Sequence, residues 1–519
     1  MFDWYVLGSF VAYLALMLAI GYGFSGKQTD MGDYYLGGRK MNKWVVALSA
    51  QASDMSGWLL MGLPGTIFIS GFSEAWIGFG LLVGTYLNWK IVAHRLRKYS
   101  QVCGDSITIP DFIANRFHDK TGISRIVAAV IILAFFTFYT SSGFVSCAKL
   151  FSQLFGHPEM YSTWVWIGAA VVVSYTLLGG YMAVCWTDFI QGSLMFIAIV
   201  LVPAIVITQA GGFSASVDAL NDINPYLQSL FTSAQTGKAF GFIGLVSSLA
   251  WGLGYFGMPH ILVRFMSIDR PQEVKGSRRI AMTWVTISLA AACVIGVVGH
   301  LYLQQRGLSI ADVGGDPEKL FMVMINGIFN GGVLSRIFAG VLLSAIMAAI
   351  MSTADSQLLV SASAFSNDLY KVVMHKKASN KELVLVSRLA VAAIAIIAAS
   401  ISLDENSSFF SVIMTLVSFA WAGFGAAFGP VILLGLFWKR TNLAGAVAGM
   451  VTGAATCFVW KFVLKSSAAL VSAHPVFGMY ELLPGFVLAM VVTIAVSLLT
   501  KQPSKEMLDE FEKIHTDFA

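Results

Sequence analysis

Ser49-Ala-Gln-Ala-Ser-Asp-Met-Ser-Gly-Trp-Leu-Leu-Met-Gly-Leu-Pro-Gly65 lies between two apolar runs, in the middle of a segment long enough to cross a bilayer. Gln51, Ser53, Asp54, Ser56 and Gly57 crowd into seven of its residues. A carboxylate at membrane depth is costly unless it is paired, solvated or beside a cation. Gly57 and the neighbouring hydroxyls weaken the helix at the same place. A costly charge in a weak helix marks a binding site rather than a strut, so the stretch reads as half of an ion and substrate site.

The rest of the chain supplies the solvent for that reading. Of its 519 residues 57% are hydrophobic and 12% charged, about half the charge of a soluble domain. Apolar runs recur from end to end, which makes the class an all-α polytopic membrane protein. The first 25 residues lack a basic start and a small-residue cleavage site, so they read as a retained span. The net charge of +5 has no clustered basic face, and no nucleic-acid partner is expected. Cys103, Cys147, Cys185, Cys293 and Cys457 are scattered, which excludes a disulfide framework or a zinc site and leaves apolar packing. No zinc-peptidase or serine-hydrolase motif is present, so no enzymatic activity is expected.

About thirteen spans are expected, the first over 4–23 and the last over 478–500. With the N-terminus outside, the inside segments 24–43, 90–125, 264–279, 371–388, 439–440 and the tail from 501 hold 26 of the 33 Lys and Arg residues. The positive-inside rule therefore predicts an outside N-terminus and a cytoplasmic C-terminus. Spans two to six and seven to eleven then form two blocks of opposite orientation, the pattern of an inverted-repeat transporter. The expected organisation is a first extra span and inside loop over 1–42, repeat one over 43–210, an outside loop over 211–237, repeat two over 238–438, two further spans over 439–500, and a cytoplasmic tail over 501–519. That tail reads as a solvated charged helix.

Each repeat opens on an interrupted span. The counterpart of 49–65 is Trp251-Gly-Leu-Gly-Tyr-Phe-Gly-Met-Pro259, where three glycines and a proline break the helix. Paired interrupted spans point to a midplane site. The glycines also match a dinucleotide-binding spacing, but they follow an apolar helix and not a strand, which excludes that reading.

Ala349, Ser352, Thr353 and Ser356 are spaced to share one helix face in span nine. Such residues line many helix interfaces in membranes; beside an unwound span with Asp54 they instead suggest a cation site built from hard oxygen ligands. Asp188 and Asp355 are placed to approach each other, either as a second cation site with Ser356 or as solvated helix-end residues. Trp58, Tyr139, Trp251 and Tyr255 are packing aromatics or the wall of a pocket for an apolar ring and a small ammonium group. Trp251 and Tyr255, four apart, are expected on one face.

Tyr35-Leu-Gly-Gly-Arg39, the 49–65 stretch, Trp186-Thr-Asp188, Trp251 to His260, Met351-Ser-Thr353 and Ala420-Trp-Ala-Gly-Phe-Gly-Ala-Ala-Phe-Gly-Pro430 resemble the sodium:solute symporter family, and within it the branch that carries proline. The resemblance runs over nearly the whole chain. It implies a LeuT-like fold with two inverted five-helix repeats, one span before them and two after. It also implies symport of L-proline with sodium, by alternating access, in the cell membrane. Sodium would take the carbonyls of Ala52 and Met55 with Ala349, Ser352 and Thr353, while Asp54 organises the site without being a ligand itself. Proline would lie against Ser56, Gly57, Trp58, Tyr139, Trp251, Tyr255 and Pro259. Arg39 matches a functional arginine of the inside loop. The chain departs from the family at Asp355, where a hydroxyl is usual, leaving one or two sodium ions open, and at Met258 in place of glutamine. Another amino acid or an organic acid is the alternative cargo. A membrane sensor is a further alternative, and no obligate protein partner is implied.

Overall fold

The computed structural model describes residues 3–24, 31–177 and 180–516, and among these it is helical, with β pairing limited to two isolated bridges. The principal helices are α1 (Trp4–Phe24), α2 (Lys43–Asp54), α3 (Leu63–Ser70), α4 (Trp76–Leu87), α5 (Ala93–Val102), α6 (Ile123–Phe155), α7 (Tyr161–Thr176), α8 (Tyr181–Gln209), α9 (Gly241–Leu249), α10 (Pro259–Ser267), α11 (Val274–Gln305), α12 (Val333–Ser363), α13 (Asn380–Ile401), α14 (Ile413–Phe437), α15 (Leu443–Val459) and α16 (Leu482–Leu499). A tail helix, α17 (Lys505–Thr516), follows.

Ten continuous helical runs among the described residues are long and apolar enough to cross a membrane, and the bent pair Gly241–Phe256 and Pro259–Ser267 makes eleven. Each of the thirteen expected segments contains helix among the described residues, but the break between α7 and α8 falls before Tyr181, earlier than the expected span end at 184. The run Trp58–Val102, 45 residues, would be about 68 Å long if straight, more than twice the roughly 30 Å hydrocarbon core. Gly71, with φ 73°, supplies a turn between α3 and α4 that an L side chain would strain. α7 has 16 residues, too few by length alone for a full crossing.

The helices pack in matching pairs. α2 packs on α8 as the 3₁₀ segment Ala250–Phe256 packs on α14; α3 packs against α11 as α10 packs against α5. α8 meets α12 as α14 meets α6, and α6 meets α7 as α12 meets α13. α1 lies against α12 and α8, while α15 and α16 lie against α14. The five cysteines are buried free thiols, as expected from their scatter.

Loops close over both ends of this bundle. On one face Lys149 of α6 meets Asp316 at 2.8 Å and also pairs with Glu318. Glu318 accepts from the backbone N–H groups of Ile413 (3.2 Å) and Met414 (3.3 Å) at the start of α14. Burial pushes the Glu318 carboxyl above its ordinary value, against the pull of Lys149. On the opposite face Arg39 donates to Asp105 (2.9 Å), Ser100 (3.2 Å) and the carbonyls of Met266 (2.7 Å) and Ser106 (2.8 Å). That arginine ties the 31–42 loop to the ends of α5 and α10.

The tail differs from the solvated helix expected of it. α17 buries Met507, Phe511 and Ile514, and Glu510 reaches His118 at 3.0 Å. Its charges are spaced to leave an apolar stripe, which the sequence pattern shows but whose docking partner it does not.

Close approach between backbones is the condition for the α4 crossing with Ala250–Phe256. A methyl group on Gly84 would meet the carbonyl of Gly252. Gly84→Ala is therefore expected to destabilise the purified protein by roughly 1–3 kcal/mol, the usual cost of overpacking. An unchanged melting temperature in detergent would show that this crossing is not tight.

Candidate functional site

α2 ends at Asp54 because Met55 leaves helical geometry at φ −84°, ψ 77°, and only short turns link it to the π-helical start at Trp58. That break strands backbone carbonyls in an apolar medium, where each needs a donor. Ser352 Oγ donates to the Ala52 carbonyl at 2.8 Å, and Thr353 Oγ1 to the same oxygen at 3.3 Å. Ser352 Oγ also lies 3.2 Å from the Ala349 carbonyl. Ala52, Ala349, Ser352 and Thr353 thus converge in one oxygen cluster between α2 and α12, of the ligand type a hard cation takes. Met55 adjoins it, with its carbonyl turned out of helical alignment by the ψ value.

Asp54 is fully buried, and Tyr255 OH donates to its Oδ2 at 2.6 Å. The carboxylate therefore spans the two interrupted segments. Its Oδ1 has no hydrogen-bond partner among the described residues. The Asp54 carbonyl accepts from Trp58 Nε1 at 2.9 Å and from Tyr139 OH at 3.3 Å. Ser56 and Gly57 lie in the same break, and a side chain on Gly57 would meet Ser146 of α6. Gly57 is what allows the broken strand this close to α6.

The second break repeats the device. Ala250–Phe256 is a 3₁₀ helix, Met258 is extended, and Pro259 opens α10. Trp421 Nε1 donates to the Trp251 carbonyl at 2.7 Å, and Asn88 Nδ2 to the Tyr255 carbonyl at 2.9 Å. With three residues per turn, positions four apart no longer share a face. Trp251 accordingly stacks on Tyr480, with centroids 5.2 Å apart, while Tyr255 turns to Asp54. The single face expected of these two aromatics is corrected on that ground.

Asp188 and Asp355 are both buried and not solvated helix ends. Asp188 Oδ2 accepts from Ser49 Oγ at 2.7 Å and from Arg264 Nη2 at 3.0 Å. Arg264 also donates to Ser49, to the His260 carbonyl (2.7 Å) and to Ser356 Oγ (2.6 Å). Ser356 lies 3.3 Å from Asp355 Oδ1, whose other oxygen has no partner among the described residues. Sequence reasoning placed Arg264 with the inside loop charges and missed this role. The signal was available: Arg264 falls five residues after Pro259, on a helix whose other side chains, His260 apart, are apolar or small.

A family model described as the sodium:solute symporter family matches residues 34–453. The high-affinity proline transporter PutP of Bacillus subtilis is 46% identical over 95% of this chain and 98% of its own length. The sodium/proline symporter of Escherichia coli is 43% identical over 98% of this chain and 95% of its own. Among solved structures, a Na+-coupled sialic acid symporter in a substrate-bound outward-open state superposes with a TM-score of 0.77 at 19% identity, covering 97% of this chain and all of that one. MhsT in complex with L-phenylalanine superposes at 0.51 and 15% identity, covering 88% of this chain and 98% of that one. Both likenesses are of fold, the LeuT-like arrangement.

Removing Arg264 leaves Asp188 a buried charge without a cation, a change that costs about 3–5 kcal/mol. Arg264→Gln should lower thermal stability by that order, and Asp188→Asn added to it should recover most of the loss. A double variant that loses the sum of both single effects would disprove the pairing.

Proposed function

The chain belongs to the sodium:solute symporter family, and on that premise we propose that it couples sodium entry to uptake of L-proline across the cell membrane. The carrying observation is the Ala52 carbonyl, held by Ser352 and Thr353 beside the buried Asp54, in a chain over 40% identical along its length to relatives named for proline. Transport, not catalysis, is the activity proposed. The basic inside segments support an outside N-terminus and a cytoplasmic C-terminus. The matched packing pairs support repeats over 43–210 and 238–438, with the other boundaries as read from the sequence.

Sodium would enter the oxygen cluster as the Ser352 and Thr353 hydroxyls rotate their O–H groups off the Ala52 carbonyl and offer lone pairs, with Met55 and Ala349 completing the set. Asp54 would act through charge and through Tyr255, which transmits the ion's presence to the second break. Proline would bind against Ser56, Gly57, Trp58, Tyr139, Tyr255 and Pro259, with Trp251 toward the outer side. Its carboxylate would lie at a half-helix N-terminus, and its ammonium group at carbonyl and aromatic groups. Sodium orders the broken segment and so favours proline; by linkage, proline tightens sodium by the same factor. Release of the Lys149–Glu318 latch would open the outer path, and release of the Arg39 latch the inner one. Arg264 neutralises Asp188, while Asp355 keeps one oxygen without a partner among the described residues; the proposal places one sodium at the Ala52 cluster and leaves Asp188, Asp355 and Ser356 as the place a second cation would take.

Proteoliposomes should accumulate labelled proline only under an inward sodium gradient, and a panel of other amino and organic acids should compete weakly. Asp54→Ala should abolish sodium-driven uptake in protein that still folds. Ser352→Ala should raise the sodium concentration for half-maximal uptake about ten- to a hundredfold, the usual effect of losing a ligand or its partner. Sodium-independent uptake, or a better competitor than proline, would overturn the corresponding half of the proposal.

A further inference from the structure

A cavity of about 640 Å³ opens between the starts of α6 and α15, the end of α16 and the base of α17. It lies on the face that carries the C-terminal end of the chain, away from the central site, and the transport proposal makes no use of it. Its wall is apolar: Ile123, 47% exposed, together with Leu443 and Val447. Its rim is polar and basic, formed by Thr500, Lys501 and Ser504.

The rim is built rather than loose. Asn442 Nδ2 donates to the Lys501 carbonyl at 2.7 Å and to Thr500 Oγ1 at 2.8 Å. Arg440 donates to the carbonyls of Leu498 (3.2 Å) and Thr500 (2.9 Å), fixing the end of α16. Lys501 is thereby placed at the mouth with its side chain exposed. No acidic residue lines the cavity. Asp119, in the adjoining 117–124 loop, is consumed by the N–H groups of Thr121, Gly122 and Ser124. The first turns of α6, α15 and α17 reach the cavity with their N–H groups capped by Asp119, Asn442 and Ser504, so the lysine carries the charge of the lining.

An apolar cleft along membrane helices that ends at one exposed lysine on a held backbone complements the charge and polarity of an anionic phospholipid of the adjacent leaflet. We propose that this cavity holds one anionic glycerophospholipid, its acyl chains along Ile123, Leu443 and Val447 and its phosphate at Lys501. Met507 of α17 also lines the cavity, so the lipid would sit between the tail helix and the membrane bundle. The inference rests on the multi-pass membrane reading of the chain and on no step of transport.

The test is native mass spectrometry of the full-length protein in mild detergent, with equimolar phosphatidylglycerol and phosphatidylcholine of matched chains. Wild type should retain one phosphatidylglycerol in preference to phosphatidylcholine. Lys501→Gln should reduce that preference about fivefold, the effect of one lysine near an anionic surface, and Lys501→Arg should keep it. Val447→Trp, which fills the chain groove, should lower retention of both lipids. Equal retention of the two lipids by wild type, an unchanged ratio in Lys501→Gln, or a dimer in place of a lipid adduct would overturn the proposal. The readout involves no transport, so its failure would leave the symport reading intact.

Discussion

The structure depends on satisfying backbone carbonyls where two membrane spans come apart. Inside hydrocarbon an unpaired carbonyl has no water to turn to, so a broken helix persists only if side chains supply the missing donors. Here most come from elsewhere in the bundle, with Trp58 and Arg264 reaching back four residues along their own segments. Ser352 and Thr353 serve Ala52, Trp58 and Tyr139 serve Asp54, Trp421 serves Trp251, Asn88 serves Tyr255, and Arg264 serves His260. The Ala52 carbonyl and the two hydroxyls that serve it are hard oxygen atoms, the ligand type proposed above to receive the cation.

Asp54 joins the two breaks. Its bond to Tyr255 passes between residues 201 positions apart in sequence, one in each interrupted segment. A change at one break is therefore felt at the other, the physical requirement for coupling two cargoes. The close passages at Gly57 and Gly84 hold the segments near their neighbours while leaving them without interlocking side chains. Rigid-body movement between packed blocks needs interfaces of that kind, together with latches at each face. The contacts of Lys149 with Glu318 and of Arg39 with Met266 lie at the two faces where the proposal puts such latches.

The charges at the centre form a second constraint. Asp188 and Arg264 are each 1% exposed or less, and buried charges persist only when paired and hydrogen-bonded; Asp355, also buried, has Ser356 beside it and one oxygen without a partner among the described residues. Arg264 meets both conditions by linking Asp188, Ser49 and Ser356, and Ser356 in turn donates to the Ser352 carbonyl. The ion pair and the cation cluster are thus adjacent parts of one polar network. A substitution in either is transmitted to the other through α12.

Asp54, the glycine-rich breaks and the hydroxyl face of 349–356 were legible in the sequence because each violates a local rule: a charge in an apolar run, a weak helix in a span, a polar stripe at helical spacing. The helical type of the segments followed from hydropathy in the same way. Which groups meet was decided only by tertiary structure: Tyr255 with Asp54, Arg264 with Asp188, Lys149 with Glu318, the tail helix on the 96–118 region. These partners lie 76 to 392 residues apart, and periodicity carries no information at that range. Even the face of Trp251 escaped it, because a 3₁₀ segment turns 120° per residue where an α-helix turns 100°. Sequence determined what had to be satisfied inside the membrane; the packing of the bundle decided which residue satisfies it.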